Sequence, residues 1–146
     1  MKKILVAIDE SEVSEQVLQE ARSVAEKFNS DVLVMTVIPR IVQAFNYRFG
    51  SDFGRPHLDS EISETMAEKM LEHAGEVFRE FKGKFDTLTV SGDPAEEILA
   101  VADQEKPDLL IMGNRGLSGF TRVMLGSVST KVLHHGNCTM MIVKQK

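Results

Sequence analysis

The chain has 146 residues, of which 42% are apolar and 27% are charged, and its formal net charge is −5. This length predicts one domain, residues 1–146, with enough buried surface for a stable core. The acidic balance argues against general nucleic-acid binding and against attachment to an anionic membrane, although a local basic patch could still hold a phosphate.

The start of the chain is similar to a signal peptide only over a few residues. The apolar run after Lys2 and Lys3 extends from Ile4 to Ile8, which is shorter than the roughly 7–15 residues that a signal peptide needs. No stretch approaches the roughly 18 apolar residues of a membrane span, so we expect a cytoplasmic protein. The single cysteine, Cys138, excludes an intrachain disulfide, and its apolar neighbours predict a buried structural thiol.

The first half of the chain alternates between apolar and amphipathic segments. Residues 3–8 form a short apolar run that is typical of a parallel strand covered on both faces. Residues 11–28 carry apolar side chains at helical spacing, and residues 31–38 form a second strand that Pro39 closes. Residues 40–57 contain two glycines and a proline among aromatics and arginines, which predicts a long functional or mobile loop.

The middle of the chain continues this alternation. Residues 60–81 predict a long amphipathic helix, and residues 85–92 predict a third strand. The helix predicted at 93–105 opens with a strong start signal, with Asp93 as the N-cap and Pro94 in the first helical position. We therefore interpret Asp93 as a helix cap rather than as a catalytic group.

The last part of the chain holds a glycine-rich stretch between a strand and a helix. The fourth strand, at 108–113, leads into the stretch 113–126, and a helix at 126–135 and a fifth strand at 138–143 follow. Glycines in such a position let backbone N–H groups turn toward an anion, and the N-terminus of the next helix favours the same ligand. The stretch therefore predicts a phosphate site. A tight turn that needs positive φ angles is the alternative interpretation.

The order of the segments predicts the fold class. Strands that alternate with helices indicate an α/β fold with an open parallel sheet and helices on both faces. Ligands in such sheets bind outside the carboxyl ends of the strands, where the strand order reverses. The P-loop and dinucleotide-binding fingerprints are both absent, and the spacing that is present is Gly113-x2-Gly116-x9-Gly126-Ser127.

That spacing, after the fourth strand, resembles the ATP-binding class of the universal stress protein family. The likeness covers nearly the whole chain, since "KILVAIDESEVSEQVLQEA" is similar to the family's first strand and helix and "CTMMIVK" to its closing strand. The resemblance implies a single-domain, Rossmann-like, open five-stranded parallel sheet of order 3-2-1-4-5, also described as adenine nucleotide alpha hydrolase-like. It further implies ATP or AMP as the ligand, with or without Mg²⁺ or Mn²⁺, and a homodimer through the last strand, Thr139 to Val143.

The resemblance also implies roles for individual residues. Asp9 contacts the ribose side of the nucleoside, and Val37 meets the adenine through its backbone. Met112 and Gly113 line the ribose. The residues that hold the phosphates, through backbone N–H groups and hydroxyls, are Gly116, Gly126, Ser127, Val128 and Ser129. Arg115 matches a position that is often basic in the family.

One position departs from the family pattern. The family often has glycine after the first acidic residue, whereas this chain has Glu10. A second carboxylate near a phosphate site is unfavourable unless a cation bridges the charges or the side chain turns to solvent. For Asp9, an N-terminal helix cap is an alternative to ligand contact. For Ser127 and Ser129, capping of the last helix is compatible with phosphate binding.

No catalytic or metal-binding set stands out in the sequence. His134 and His135 are adjacent on a predicted helix, so their side chains point about 100° apart and do not chelate one ion together; their place at a helix C-terminus suits the dipole. His57 and His73 have no cysteine or histidine at metal-binding spacing. No serine occupies a G-x-S-x-G nucleophile elbow.

These features predict an ATP-binding regulatory protein in the stress response, with at most slow ATP hydrolysis. Bound nucleotide would order the loops 40–57 and 113–127, and a protein partner would detect that state. The first alternative is a dimeric interaction module of the same fold that binds no nucleotide. The second is a nucleotide-using transferase or hydrolase, which the lack of a catalytic lysine or cysteine near the loop disfavours.

Overall fold

A computed structural model describes residues 1–40, 56–114 and 125–144, with backbone only for residues 56–62. Its strands are β1 Lys3–Ile8, β2 Asp31–Pro39, β3 Phe85–Gly92, β4 Leu109–Gly113 and β5 Thr139–Val143. Its helices are α1 Val13–Phe28, α2 Pro56–Val77, α3 Pro94–Glu105 and α4 Ser127–His135. The strands form one parallel sheet in the order β3-β2-β1-β4-β5, which confirms the predicted fold class and strand order. Within the described ranges, no helix has both the length and the apolar character needed to cross a bilayer.

The sheet is covered by α1 and α2 on one face and by α3 and α4 on the other. Strand β1 lies at the centre, with Ala7 level with Met35 of β2 and with Met112 of β4. Its side chains alternate between the two cores: Ile4 packs on the α1 and α2 side, and Leu5 on the α3 and α4 side. Because both faces of β1 are buried, its sequence is a continuous apolar run rather than an alternating one.

The predicted boundaries of α2 are wrong at both ends. The helix begins at Pro56 rather than at residue 60, because proline is favoured in the first helical position, where its missing N–H costs nothing. The last two residues of the predicted loop 40–57 therefore belong to α2, and its residues 41–55 lie outside the described part of the chain. The helix ends at Val77 rather than at Phe81.

The apolar pattern of α2 continues past its last helical residue because of an aromatic cluster formed by Phe78, Phe81 and Phe85. The Phe81 N–H donates to the Phe78 carbonyl at 2.9 Å, so the chain tightens into a turn after the helix. Phe78 then contacts Phe81 edge-to-face, with ring centroids 5.3 Å apart, and stacks on Phe85 at 4.8 Å. Phe81 packs in the same core as the apolar side chains of α2. The spacing of apolar residues alone therefore does not show where the helix ends.

The N-terminus of α3 confirms the predicted cap. The Asp93 carboxylate accepts a hydrogen bond from the Glu96 N–H at 3.0 Å, and this bond is the main cause that lowers the pKa of Asp93. Lys131 of α4 lies 3.4 Å from the Asp93 carboxylate and 3.1 Å from that of Glu96. These contacts connect the first turn of α3 to α4.

The prediction for Cys138 needs a correction. The residue is half-buried rather than buried, because it lies just before β5, an edge strand whose own residues are mostly half-buried. Desolvation, with a smaller contribution from the charge of Asp103, raises the pKa of the thiol. The thiol is therefore protonated at neutral pH, which fits the inert character that was predicted for it.

An ion pair between α1 and α2 makes the stability of the protein depend on pH. His73 Nε2 lies 2.5 Å from Glu15 Oε2, and His73 Nδ1 lies 3.8 Å from Glu76 Oε2. The hydrogen bond to Glu15 is the largest cause that raises the pKa of His73, and the same bond lowers the pKa of Glu15. The ion pair stabilises the folded protein fully at pH values below 6.5, the pKa of histidine in the unfolded chain. This stabilisation is lost as the pH rises through the higher pKa that His73 has in the folded protein. It is also lost as the pH falls through the lowered pKa of Glu15.

We therefore expect wild-type protein to be more stable than His73→Gln at pH 5.5, and the difference to be smaller at pH 8.5. Because the His73 side chain is 51% exposed, the difference should not exceed about 1 kcal/mol. Urea unfolding of both proteins at the two pH values measures it. An equal difference at pH 5.5 and pH 8.5 would exclude a contribution from the charged pair.

Candidate functional site

The strand order reverses between β1 and β4. From β1 the chain continues to β2 on one side, whereas β4 continues to β5 on the other. The helices that follow these two strands also lie on opposite faces of the sheet, since α1 packs in one core and α4 in the other. In an open α/β sheet, the carboxyl ends of two strands that diverge in this way, here β1 and β4, are the usual place for a ligand.

Asp9 organises the turn between β1 and α1. Its Oδ1 accepts hydrogen bonds from the Ser11 N–H at 2.9 Å, from the Ser14 hydroxyl at 3.1 Å and from the Ser11 hydroxyl. The Asp9 N–H donates to Ser14 Oγ at 3.0 Å. A carboxylate that accepts from the backbone two residues on forms an Asx-turn. The alternative interpretation of Asp9 as the helix cap is wrong, because the N-cap of α1 is Glu12.

Glu10 turns away from this network. Its side chain is exposed, whereas its neighbour Asp9 is half-buried. One of the two conditions under which a glutamate is tolerable beside a phosphate site, a side chain turned to solvent, is therefore met.

Asn114 joins the two ends of the glycine-rich stretch. Its N–H donates to the Val143 carbonyl at 2.9 Å, and its own carbonyl accepts from the Gly126 N–H at 2.7 Å. The Ser129 hydroxyl donates to the Gly126 carbonyl at 3.0 Å and lies 3.4 Å from the Asn114 carbonyl. These bonds hold the first turn of α4 against the carboxyl end of β4.

The N-terminus of α4 is suited to an anion. Gly126 is its N-cap, and a glycine has no side chain to accept hydrogen bonds from the first N–H groups of the helix. Those N–H groups have no partner within the helix, and the helix dipole adds positive potential there. The φ angle of Gly126 is −65°, which any residue adopts. The alternative interpretation, a turn that needs positive φ, is therefore wrong at this glycine.

The described residues of the predicted site lie at neighbouring strand ends. Met112 and Gly113 are the last two residues of β4, beside Asp9, which follows β1. Ser127 is exposed in the first turn of α4, Val128 is half-buried and Ser129 is buried. Val37 lies in β2, one strand beyond β1 and two residues before the end of β2. Arg115 and Gly116 lie outside the described residues.

Sequence reasoning missed Asn114. Its side-chain Oδ1 is buried without a hydrogen-bond partner among the described residues, and 6% of the residue is exposed. The feature of the sequence that could have identified Asn114 is its position, because it is a polar residue directly after Gly113, the last residue of β4. Within the described ranges, no group of three or more histidine, cysteine or acidic residues could hold a metal ion.

The sequence is similar to known proteins over almost its whole length. A family model described as the Universal stress protein family matches residues 1–144. Universal stress protein YxiE of Bacillus subtilis is 33% identical over 145 residues, which cover 97% of this chain and 98% of the relative. Universal stress protein MJ0531 of Methanocaldococcus jannaschii is 30% identical over 149 residues, which cover 99% of this chain and 82% of the relative.

Solved structures share the fold. That of MJ0577 from Methanocaldococcus jannaschii matches with a TM-score of 0.82 at 27% identity, and covers 99% of this chain and 96% of its own. A universal stress protein in complex with cAMP has a TM-score of 0.68 at 22% identity. The Archaeoglobus fulgidus protein in complex with dAMP has a TM-score of 0.70 at 20% identity, and an Arabidopsis thaliana family protein with AMP bound has 0.71 at 17%. These three matches cover at least 98% of this chain and 93% of their own, and at such identities they show a common fold.

Proposed function

The chain belongs to the universal stress protein family, and on this premise we propose that it binds ATP at the carboxyl ends of β1 and β4. The observation that carries the proposal is the N-terminus of α4. Its N-cap is a glycine, and the hydrogen bond between Gly126 and Asn114 holds it at the end of β4. This places N–H groups that have no partner within their helix at the point where the strand order reverses.

The proposed nucleotide lies across the sheet from α4 to β2. Its phosphates accept hydrogen bonds from the N–H groups and hydroxyls of residues 126–129, at the start of α4. Arg115 and Gly116 are further contacts. Its ribose lies over Asp9 and the end of β4, at Met112 and Gly113, and its adenine lies near Val37. Three proteins of the same fold hold adenine nucleotides, namely cAMP, dAMP and AMP. Those complexes support an adenine nucleotide, and ATP is the finer proposal.

We expect the output of the site to be regulatory, with at most slow hydrolysis. Asp9, the carboxylate that directly follows β1, already accepts hydrogen bonds from Ser11 and Ser14, so it is poorly placed to activate water. ATP turnover should therefore stay below about 1 s⁻¹, the lower end of ordinary enzyme rates. Phosphate release with ATP and Mg²⁺ measures this rate, and a faster turnover would favour the hydrolase alternative.

We also propose that the protein forms a homodimer through β5. Both β3 and β5 are edge strands of the sheet, and an exposed edge is a template for pairing with another chain. The two edges differ in chemistry: β3 carries the exposed Asp86, which forms an ion pair with Lys84, whereas β5 is Thr139 followed by four apolar residues. Charge protects an edge from pairing, so β5 is the edge available to a second copy.

Thermal unfolding with and without ligand tests the nucleotide site. A ligand that binds the native state at 100 times its Kd stabilises it by about 2.7 kcal/mol, which corresponds to roughly 5–10 °C in Tm for a domain of this size. We expect a shift of that order with ATP and Mg²⁺, and a smaller one with GTP; AMP serves to test the contribution of the outer phosphates. No shift at millimolar ATP would instead favour the interaction module that binds no nucleotide.

A further inference from the structure

Asn114 carries a buried polar atom that the fold does not use. Its Oδ1 has no hydrogen-bond partner among the described residues, and only 6% of the residue is exposed. A buried oxygen without a donor destabilises the free protein, which is why such groups are rare in native structures. We propose that Oδ1 of Asn114 accepts a hydrogen bond from a ribose hydroxyl of the bound nucleotide, an inference that rests on the proposed ATP site.

The backbone of Asn114 already fulfils its structural role. The Asn114 N–H bonds the end of β5 at Val143, and its carbonyl bonds Gly126 at the start of α4. Every residue except proline supplies both groups, so these two backbone bonds do not require a carboxamide side chain. An apolar side chain of similar size would avoid the cost of the unpaired oxygen. Residues that break such a local rule tend to lie at functional sites.

Asn114 directly follows β4 and lies beside the first turn of α4. Along β4, Leu110 and Met112 face the core under α3 and α4, whereas Leu109 and Ile111 face the opposite core. Because side chains alternate along a strand, the position two residues after Met112 lies on the α4 side. Ser129, in the first turn of α4, reaches the Asn114 carbonyl.

The chemistry of an unpaired carbonyl oxygen limits what it can bind. It accepts hydrogen bonds and does not donate them, so phosphate oxygens are excluded as partners. An adenine nucleotide has two kinds of donor, the exocyclic amine and the ribose hydroxyls. In the proposed pose the amine lies near β2, and β1 separates β2 from β4, a distance of about 10 Å across two strand spacings. The ribose hydroxyls lie between base and phosphates and are therefore the donors within reach.

The test compares ATP with 2′-deoxyATP and 3′-deoxyATP by isothermal titration calorimetry. The proteins are wild type, Asn114→Leu, Asn114→Ala as a smaller second variant, and Ser30→Ala as a control. Ser30 is also a buried polar residue, but its hydroxyl donates to the Met1 carbonyl at the opposite end of the sheet. Thermal unfolding without ligand is recorded for each protein.

We expect wild-type protein to bind ATP roughly tenfold more tightly than one of the deoxy analogues, the loss typical of one hydrogen bond. The Asn114 variants should bind ATP roughly tenfold more weakly and no longer distinguish it from that analogue, and Asn114→Leu without ligand should melt no lower than wild type. Ser30→Ala should melt lower and keep the preference. Equal binding of all three nucleotides by wild type, or a preference retained in the variants, would overturn the role of Asn114 alone. Failure of wild type to bind ATP would overturn the proposed site as well.

Discussion

Replacing Gly126 with aspartate should lower the affinity for ATP by at least about tenfold and leave the protein folded. The φ and ψ angles of Gly126, −65° and 163°, suit any residue, and no side chain caps α4 at this position. Aspartate is among the most favourable N-cap residues, so its carboxylate should accept hydrogen bonds from the first N–H groups of α4. The same carboxylate then occupies the groups proposed to bind phosphate and repels the anion.

Gly126→Asn is the matched control, because asparagine has almost the same shape and caps a helix equally well without a charge. It should weaken ATP binding less than aspartate does, and the difference measures the repulsion between carboxylate and phosphate. Both variants should have a Tm equal to or above that of wild type. If well-folded Gly126→Asp bound ATP as tightly as wild type, the N-terminus of α4 would not be part of the site.

Replacing Met140 with proline should weaken dimerisation at least about tenfold while the sheet within each subunit survives. The Asn114 N–H donates to the Val143 carbonyl, so the polar groups of Val143 point toward β4. Polar groups alternate along a strand, and therefore those of Met140 point to the open edge. Proline at this position removes a donor from the edge without removing a bond to β4.

Analytical ultracentrifugation over a range of concentrations measures the change in self-association. The control is Met140→Ala, which removes the packing of the half-buried side chain but keeps its N–H, and which should remain as dimeric as wild type. Equal self-association of wild type and Met140→Pro would show that β5 is not the pairing edge. The remaining edge, β3, would then be tested in the same way at its exposed positions.

The sheet was predictable from the sequence because both faces of its central strands are buried. In a chain that alternates between strands and helices, a continuous apolar run such as the one in β1 indicates a parallel strand with helices on both sides. The ends of α2 were predicted less well, because Phe81 packs in the core after the helix has ended and so extends the apolar pattern. Helix boundaries are set by turn hydrogen bonds and aromatic contacts, which the spacing of apolar residues does not reveal.

The candidate site was predictable only as a set of positions. The glycine spacing identified Gly126, and the structure shows that this residue is the N-cap of α4 with a φ angle that does not require glycine. The interactions of Asp9 with Ser11 and Ser14 were not predicted, because they depend on the turn between β1 and α1. Asn114 was missed because an unpaired buried oxygen is a property of its surroundings and has no signature in the sequence.

The central position of β1 in the sheet also affects how the chain folds during its synthesis. One edge of β1 pairs with β2, which follows soon after it, but the other edge pairs with β4. About 100 residues separate Ile8 from Leu109, so at 5–20 residues per second the ribosome needs roughly 5–20 s to supply the second partner. During that interval the nascent chain exposes an apolar strand with an open row of N–H and C=O groups, which a chaperone or a neighbouring nascent chain can pair with. Since α4 emerges later still, a nucleotide at the proposed site would stabilise only the finished protein and would offer no protection during synthesis.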